Sequence, residues 1–381
     1  MQYVPFGKLG FEISRLGFGA MRIPMIEENG ERHPDVQLGV KLIRDAIDRG
    51  VNYVDTAYVY SGKQNENMVG EALKNGYREK VKIATKLACP YVESRADMDK
   101  QLDEQLKKLG TDHIDFYLLH ALNKDRWAKM KELGVLEFLD EAVKDGRILY
   151  PSFSFHDKYE VFEDIITSYD WQMAQIQFNY LDINEQAGLR GLRLAGRRNV
   201  PIVVMEPLRG GALVSPPPEV KKILERYPEQ RSAHDWAFRY VGHFKEVAVQ
   251  LSGMSTQEMV DDNLRIFDDV KPGALSERDL RMIGRLRSAY LKRMPIGCTG
   301  CAYCVPCPKN VKIPRIFAMY NRNKMFGQSD AQLTSAYADF IKDGSDASQC
   351  VSCGLCEKQC PQKLPIRQWL QTVHKEAAPT E

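Results

Sequence analysis

The residues with the clearest chemical signature are cysteines. Nine occur in the 381-residue chain, and eight of them (Cys298, Cys301, Cys304, Cys307, Cys350, Cys353, Cys356 and Cys360) crowd into its last quarter, leaving Cys89 alone elsewhere. Disulfide frameworks belong to small secreted domains, whereas tight C-x-x-C runs in a chain of this size point to thiolates holding metal. The second run, Cys350-x2-Cys353-x2-Cys356-x3-Cys360-Pro361, has the spacing that binds a 4Fe-4S cluster. The first, Cys298-x2-Cys301-x2-Cys304-x2-Cys307-Pro308, is one residue shorter before its last cysteine. In two-cluster electron carriers the fourth cysteine of each run ligates the other cluster. The spacing therefore predicts two 4Fe-4S clusters, one on Cys298, Cys301, Cys304 and Cys360, the other on Cys350, Cys353, Cys356 and Cys307. Zinc is the alternative, since C-x-x-C pairs also make four-thiolate sites. Two runs of four, each followed by proline, are harder to explain that way. Cys89 reads as a small packing residue, with a thiol near a substrate as the lesser alternative.

A second set of polar residues lies where strands should end. From Arg15 to about Asp269, short apolar runs alternate with amphipathic stretches, the pattern of repeated βα units around a parallel sheet. The strand-like runs are 16–19, 51–56, 81–86, 114–120, 148–153, 173–178, 202–205 and 247–251. Helix-like segments follow them at 37–49, 65–74, 98–109, 136–144, 159–168, 185–195, 233–241 and 256–267. Eight such units predict a (β/α)8 TIM barrel rather than an open sheet. Residues 1–14, with Gly7 and Gly10 as turn residues, read as a hairpin that could cap the barrel's lower end. Asp55 and Tyr60 then close the second strand, Lys86 the third and His120 the fourth, on the rim where barrels carry their chemistry. Singly, each has an ordinary explanation: a turn cap, half-buried packing, a solvated lysine, a core histidine. Their convergence at three consecutive strand ends argues for an active site.

Composition agrees with two domains in a globular protein, with 44% apolar and 27% charged residues. Lys plus Arg exceed Asp plus Glu by only two, so no global field favours nucleic acid or acidic membranes. There is no basic stretch leading into an apolar one at the start, and no run of about 18 apolar residues. The expectation is a cytoplasmic protein without nucleic-acid or membrane partners. The predicted organisation is a barrel over 1–275, a connecting helix over 276–293 and a metal-bearing domain over 294–381. In the last of these, 314–325 and 330–343 look helical and the tail after Lys375 frayed.

The stretch Asp55-Thr56-Ala57-Tyr58-Val59-Tyr60, with Lys86 and His120, resembles the aldo-keto reductase family. Asn65-Glu66-Asn67-Met68-Val69-Gly70-Glu71-Ala72-Leu73, Gln175-Ile176-Gln177-Phe178-Asn179-Tyr180 and Pro207-Leu208-Arg209-Gly210-Gly211 are similar to its signatures too, and the resemblance covers about residues 1–270. It implies carbonyl reduction, or alcohol oxidation, with NADH or NADPH and a small carbonyl or alcohol substrate. Hydride arriving at a carbonyl builds negative charge on its oxygen, so a proton must follow. A tyrosine is a poor acid near neutrality, with an ordinary pKa of about 10, and a neighbouring ammonium favours its phenolate. The resemblance thus assigns Tyr60 as proton donor, Lys86 as its electrostatic partner, Asp55 as the orienter of Lys86, and His120 as a hydrogen-bond donor to the substrate oxygen.

By the same analogy the cofactor would be lined by Gly19, Ala20, Met21, Asp55, Ser154, Gln175, Met205, Pro207, Leu208, Gly210, Gly211, Gly253, Ser255, Thr256 and Asn263. No G-x-G-x-x-G follows a strand, and barrel reductases use none. Phe155 stands where many relatives have a carboxamide-holding asparagine, and Met205 where many have a stacking tyrosine. The 253–256 loop and Met259 lack the basic residues that often clasp a 2′-phosphate, which leaves NADH and NADPH both open. The tail, with 42 residues between its cysteine runs, resembles helical ferredoxin domains.

A nicotinamide gives up two electrons together whereas each cluster carries one, and no flavin signature is recognisable. Three readings follow. The chain is a reductase whose clusters stabilise the tail or dock a partner, a relay passing electrons to an external ferredoxin-like redox protein, or an iron-sulfur scaffold without catalysis.

Overall fold

A strand covered on both faces needs apolar side chains at nearly every position, and runs of Val, Ile and Leu supply them here. In the computed structural model, which describes residues 1–28 and 30–379, eight strands run parallel. They are β1 (Leu16–Gly19), β2 (Tyr53–Asp55), β3 (Lys82–Leu87), β4 (Ile114–Leu122), β5 (Ile148–Phe155), β6 (Met173–Gln177), β7 (Ile202–Met205) and β8 (Val247–Ser252). Each pairs with the next, and β8 returns to β1 with Gln250 opposite Leu16, so the sheet closes into a barrel. The expected (β/α)8 architecture is what the chain forms, with a helical C-terminal region carrying the cysteines. No helix among the described residues is long and apolar enough to cross a membrane.

The helices around the barrel are amphipathic. Val36–Asp48 buries Gly39, Leu42, Ile43, Ala46 and Ile47, one continuous stripe, and the Asp35 carboxylate caps its start by accepting from Leu38 N at 3.0 Å. Arg95–Leu109 opens on a capping box between Ser94 and Asp97 and stops at Gly110, whose φ is 64°. Before the C-terminal region, two helices have no counterpart in the sequence reading, Lys124–Glu132 and Pro218–Glu225. In the first, only Trp127 and Met130 are buried, a stripe too thin to announce a helical period. Strands β4 and β5 run past their expected ends at His120 and Phe153, and that extra length shapes the rim.

Below the barrel, an antiparallel hairpin pairs Tyr3–Pro5 with Glu12–Ser14. It inserts Phe6 against Phe116 at 4.9 Å between ring centres, and Phe116 meets Tyr150 at 5.1 Å. Aromatic packing thus closes the end opposite the strands' C-termini. A further antiparallel pair, Met25–Glu28 with Glu31–Pro34, follows β1.

The chain divides into two compact units: Met1–Val214 with His234–Leu280, and Ser215–Ala233 with the chain from Arg281 on. The expected boundary at 275 is therefore not where compactness changes. The loop after β7 leaves the first unit and returns, and in the second unit Arg293 Nη1 donates to Glu219 Oε2 at 2.6 Å. This second unit holds helices Ile313–Phe326, Asp330–Lys342, Leu355–Gln359 and Ile366–Ala377 around Ile316, Phe317, Leu333, Tyr337, Leu370 and Val373. The last two helices are absent from the sequence reading. The expectation of a frayed tail after Lys375 is corrected as far as Ala377, which is fully buried at the end of its helix; residues 380 and 381 lie outside the described residues.

The two cysteine runs share one backbone path. Gly300 and Ala302 flank Cys301 with φ of 70° and 64°, and Ser352 and Gly354 flank Cys353 with 56° and 74°. Three residues past the fourth cysteine of each run, Asn310 and Lys363 are again left-handed, and their N–H groups donate to Cys307 O and Cys360 O at 2.9 and 3.0 Å. A helix begins three residues later in both, at Ile313 and Ile366. The tail is a tandem repeat of loop and helix, with the extra residue before Cys360 falling in the short helix Leu355–Gln359, which the first run lacks.

Helix Asn65–Leu73, which carries two buried residues of the upper face, touches helix Arg95–Leu109 through backbone. A Cβ built on Gly70 would lie 2.3 Å from Lys108 O. The Gly70→Ala variant must push the helices apart and is expected to lose about 1–3 kcal/mol. Thermal unfolding reads this as a lower Tm; an unchanged Tm would mean that the contact relaxes without strain.

Candidate active site and cysteine cavities

The ends of β2 and β3 bring Asp55 and Lys86 together beneath the upper rim. Lys86 Nζ donates to both carboxylate oxygens of Asp55 at 2.8 Å, to Thr56 O at 2.6 Å and to Tyr60 OH at 3.4 Å. Lys86 is 1% exposed and Asp55 3%, so the pair is withdrawn from water. An ammonium has three N–H bonds, and all find acceptors here. Tyr60 begins a short turn in which Ser61, Gly62 and Lys63 are left-handed, with φ of 47°, 62° and 70°. His120 meets the Tyr60 ring edge-on, 6.0 Å between centres. The structure therefore brings all four residues into one group.

Burial sets the protonation of this group. It pushes the Tyr60 phenol above the ordinary tyrosine value, with Lys86 pulling down against it and Arg22 adding a smaller pull. The expectation that Lys86 makes this phenol acidic is corrected: the cation offsets burial without outweighing it. Burial also opposes the Lys86 charge, yet Asp55 and Tyr60 together hold the ammonium above its usual range. Burial pushes the Asp55 carboxyl up while Lys86 draws it back, and the two-oxygen contact keeps it a carboxylate. His120 is pushed down to about 3, by burial first and then by the positive charge of Lys86. It is a neutral imidazole at physiological pH.

The residues expected around a cofactor fall into three places. Ser154 and Gln175 are register partners on β5 and β6. The Ser154 hydroxyl accepts from Ala121 N at 2.7 Å, pinning a left-handed residue (φ 52°) immediately after His120. Gln175 is 2% exposed, its Nε2 lies 3.9 Å from Met205 Sδ, and its Oε1 has no hydrogen-bond donor. Pro207, Leu208, Gly210 and Gly211 form a tight loop after β7, with Glu206, Arg209 and both glycines at positive φ. At the third place Gly19 approaches Gly253 after β8, Ala20 is buried and Met21 is 52% exposed. Thr256 caps helix Gln257–Phe267 and Ser255 Oγ lies 3.4 Å from Met259 Sδ. Asn263 Nδ2 donates to Ser252 Oγ at 2.8 Å. Phe155 is fully buried and meets Phe162 edge-on, so its ring belongs to the wall and not to the cleft.

Several contributors escape a reading of sequence. The Asn65 amide donates to Ala20 O at 3.0 Å and to Ser61 Oγ at 3.3 Å while its oxygen accepts from Thr56 Oγ1 at 2.7 Å, stitching the Tyr60 turn to the first strand's loop. Buried Asp182 accepts from Gln177 at 2.9 Å and Asn179 at 3.0 Å and pairs with Arg209 at 3.1 Å, bracing the loop after β7. Arg22 crosses Gly253: a Cβ there would lie 2.5 Å from Arg22 Cγ, and one on Gly210 3.8 Å from its Nη2. Among the described residues no carboxylate pairs with Arg22. Its one sequence signal is a basic residue directly after the Gly19–Met21 stretch. Cys89 is 1% exposed and burial pushes its thiol up to about 12, the behaviour of a packing residue.

In the C-terminal unit the thiols ring two cavities. Cys350, Cys353, Cys356 and Cys307 line one; Cys298, Cys301, Cys304 and Cys360 line the other, with Cys304 also reaching the first. Each cavity thus takes three thiols from one run and its fourth from the other. Burial raises the Cys304 thiol, and Cys298, Cys301 and Cys360 are close enough to push it the same way. Among the described residues no three ligand-type side chains close on a point at single-ion distance. Walls of thiols around a space, carried on loops with left-handed residues beside the cysteines, fit a bulky cluster held by thiolates.

Residues 15–283 match the aldo/keto reductase family, and residues 297–364 match a 4Fe-4S dicluster domain. The chain belongs to the aldo/keto reductase family. It is similar to aldo-keto reductase YhdN of Bacillus subtilis, 30% identical over 185 residues that make up 43% of this chain and 55% of the relative. It is also similar to probable aldo-keto reductase 1 of Glycine max, 33% identical over 162 residues, 39% of this chain and 44% of the relative. The match thus spans about half the length of these relatives. Among solved structures, the holo form of an aldo-keto reductase from Bacillus halodurans superposes with a TM-score of 0.63 at 25% identity, covering 75% of this chain and 96% of that one.

In this aldo/keto reductase barrel the ion pair is also a structural element. Removing one partner of a buried pair leaves the other charge unpaired, whereas removing both charges does not. Lys86→Met is expected to lose about 3–5 kcal/mol of stability. Lys86→Met combined with Asp55→Asn should recover most of it in urea unfolding; equal losses in both proteins would contradict this account.

Proposed function

We propose that this protein is a nicotinamide-dependent oxidoreductase that reduces a small carbonyl compound, or oxidises the corresponding alcohol, with Tyr60 as the proton-transferring group. The observation that carries this reading is Lys86 Nζ, fixed by Asp55 and lying 3.4 Å from the Tyr60 hydroxyl. Bound NADH or NADPH would supply the hydride. Among this chain's own residues, the orphaned Gln175 Oε1 beside Ser154 suits the amide N–H of a carboxamide, and Arg22 between Gly210 and Gly253 suits phosphate oxygens. Barrels often bind phosphate at the loops after their seventh and eighth strands, where those two glycines lie.

The phenol, held above its ordinary pKa, keeps its proton at neutral pH and can release it only as negative charge grows on a substrate oxygen. The ammonium of Lys86 stabilises the phenolate left behind. His120, neutral and edge-on to Tyr60, offers a ring N–H to the same oxygen. In the oxidative direction the Tyr60 phenolate is the base. The second unit, in this reading, carries two 4Fe-4S clusters, one per thiol-lined cavity.

Two measurements test the assignment. Tyr60→Phe should lower kcat by about 10²–10⁴-fold, the usual worth of a general acid, with cofactor affinity kept; full turnover would refute the role. Reduction needs the protonated phenol and oxidation the phenolate. The reductive rate should therefore stay level through neutrality and fall only above pH ~10, while the oxidative rate climbs over that range. A histidine at about 3 adds no limb between these limits. A reductive profile with an inflection near pH 6–7 would point to another acid.

A further inference from the structure

The repeat that builds the two cavities is broken by charge. Lys309 follows Cys307 by two residues and Gln362 follows Cys360 by two; Arg367 is the second residue of its repeat's helix and Pro314 the second of the other's. These matched positions line opposite cavities. Lys309 and Arg367 both face the cavity of Cys350, Cys353 and Cys356, whereas Gln362 and Pro314 face that of Cys298, Cys301 and Cys304. One cavity has two cationic side chains in its wall and the other has no charged side chain at all. Neither wall includes a carboxylate.

Arg367 is held where its charge would act. Its Nη1 donates to Ser352 O at 3.3 Å, and its Nε donates to Glu357 Oε2 at 3.0 Å. A Cβ on Gly354 would lie 3.8 Å from its Cζ, so the guanidinium rests on the loop between Cys353 and Cys356. Its partner Glu357 does not line the cavity but directly follows Cys356 and offsets part of that charge, whereas Lys309 has no carboxylate partner among the described residues. Adding one electron to a cluster adds one negative charge, and the net charge around a cluster sets its potential. Arg367 is 45% exposed, so water screens its charge in part, and what remains of a cation in the wall favours the reduced form.

We propose that the two clusters are electrostatically unequal, and that Arg367, assisted by Lys309, raises the reduction potential of the one held by Cys307, Cys350, Cys353 and Cys356 so that it takes an electron first. This inference rests on the two-cluster reading above. Each reduction is a one-electron step: the added electron enters one cluster, no bond is made or broken, and dithionite supplies it in the test. Arg367 is a tuning residue and touches no substrate.

The experiment is a potentiometric titration of the anaerobically purified full-length holoprotein, followed by the electron paramagnetic resonance of the reduced clusters, with iron and sulfide counted first. The wild type should show two separate one-electron waves. Arg367→Gln should shift the upper wave to lower potential and leave the lower one in place, Glu357→Gln should shift the same wave upward, and Arg367→Lys should stay close to wild type. Coincident waves in the wild type, or equal movement of both waves in Arg367→Gln, would overturn the proposal. If Arg367→Gln fails to load iron, the opposite shift in Glu357→Gln decides; no shift there overturns it. Metal for only one cluster per chain would instead sink the two-cluster reading itself.

Discussion

The upper face of the barrel is organised by one ammonium that has no water to turn to. Buried beneath the rim, Lys86 Nζ must have acceptors for all three of its N–H bonds, and they come from the Asp55 carboxylate at the end of β2, the carbonyl of the next residue, and the turn that carries Tyr60. Satisfying one charge therefore fixes the relative position of the carboxylate, the strand end and the phenol. Asn65 continues the chain of dependence outward, linking that turn to the loop after β1. The arrangement that holds the fold together here is the same one that can receive the charge released by a departing proton.

The rim is also where the backbone departs from ordinary conformations. Ser61, Ala121, Glu206 and Arg209 are left-handed without being glycine; Ala121 is the penultimate residue of β4 and the others follow the ends of β2 and β7. Such residues are costly unless their surroundings hold them, and they cluster at functional sites. Ser154 holds Ala121, and the Asp182 network holds Arg209. These supports are side chains whose value lies in what they fix.

Much of this was legible in the amino-acid sequence because it depends on local pattern. Apolar runs marked the eight strands, the cysteine spacing marked two thiol-rich runs in the tail, and Asp55, Tyr60, Lys86 and His120 stood out as polar residues where strands should stop. What stayed hidden depends on depth and on distant neighbours. The direction in which the Tyr60 phenol moves is a contest between burial and a cation, and sequence reveals the cation without the burial. Arg22 went unremarked because its surroundings, Gly210 and Gly253, come from the far end of the barrel's sequence. Helix Lys124–Glu132 was invisible for want of an apolar stripe. The stretch around Pro218–Glu225 gave no hint that it sits with the C-terminal unit. The tandem repeat could have been found by aligning the two Cys-Pro segments, whose shared backbone turns are plainer than their residues.

The exchange of last cysteines between the repeats makes the two halves of the tail mutually obligatory. Neither loop encloses its cavity from its own residues: each lacks a fourth wall until the other half has come round with Cys307 or Cys360. In the two-cluster reading proposed above, neither site could be completed one module at a time, and a chain interrupted between the repeats would be left with two open cups in place of two closed sites. Interlocking of this kind turns a duplicated segment into a single cooperative unit.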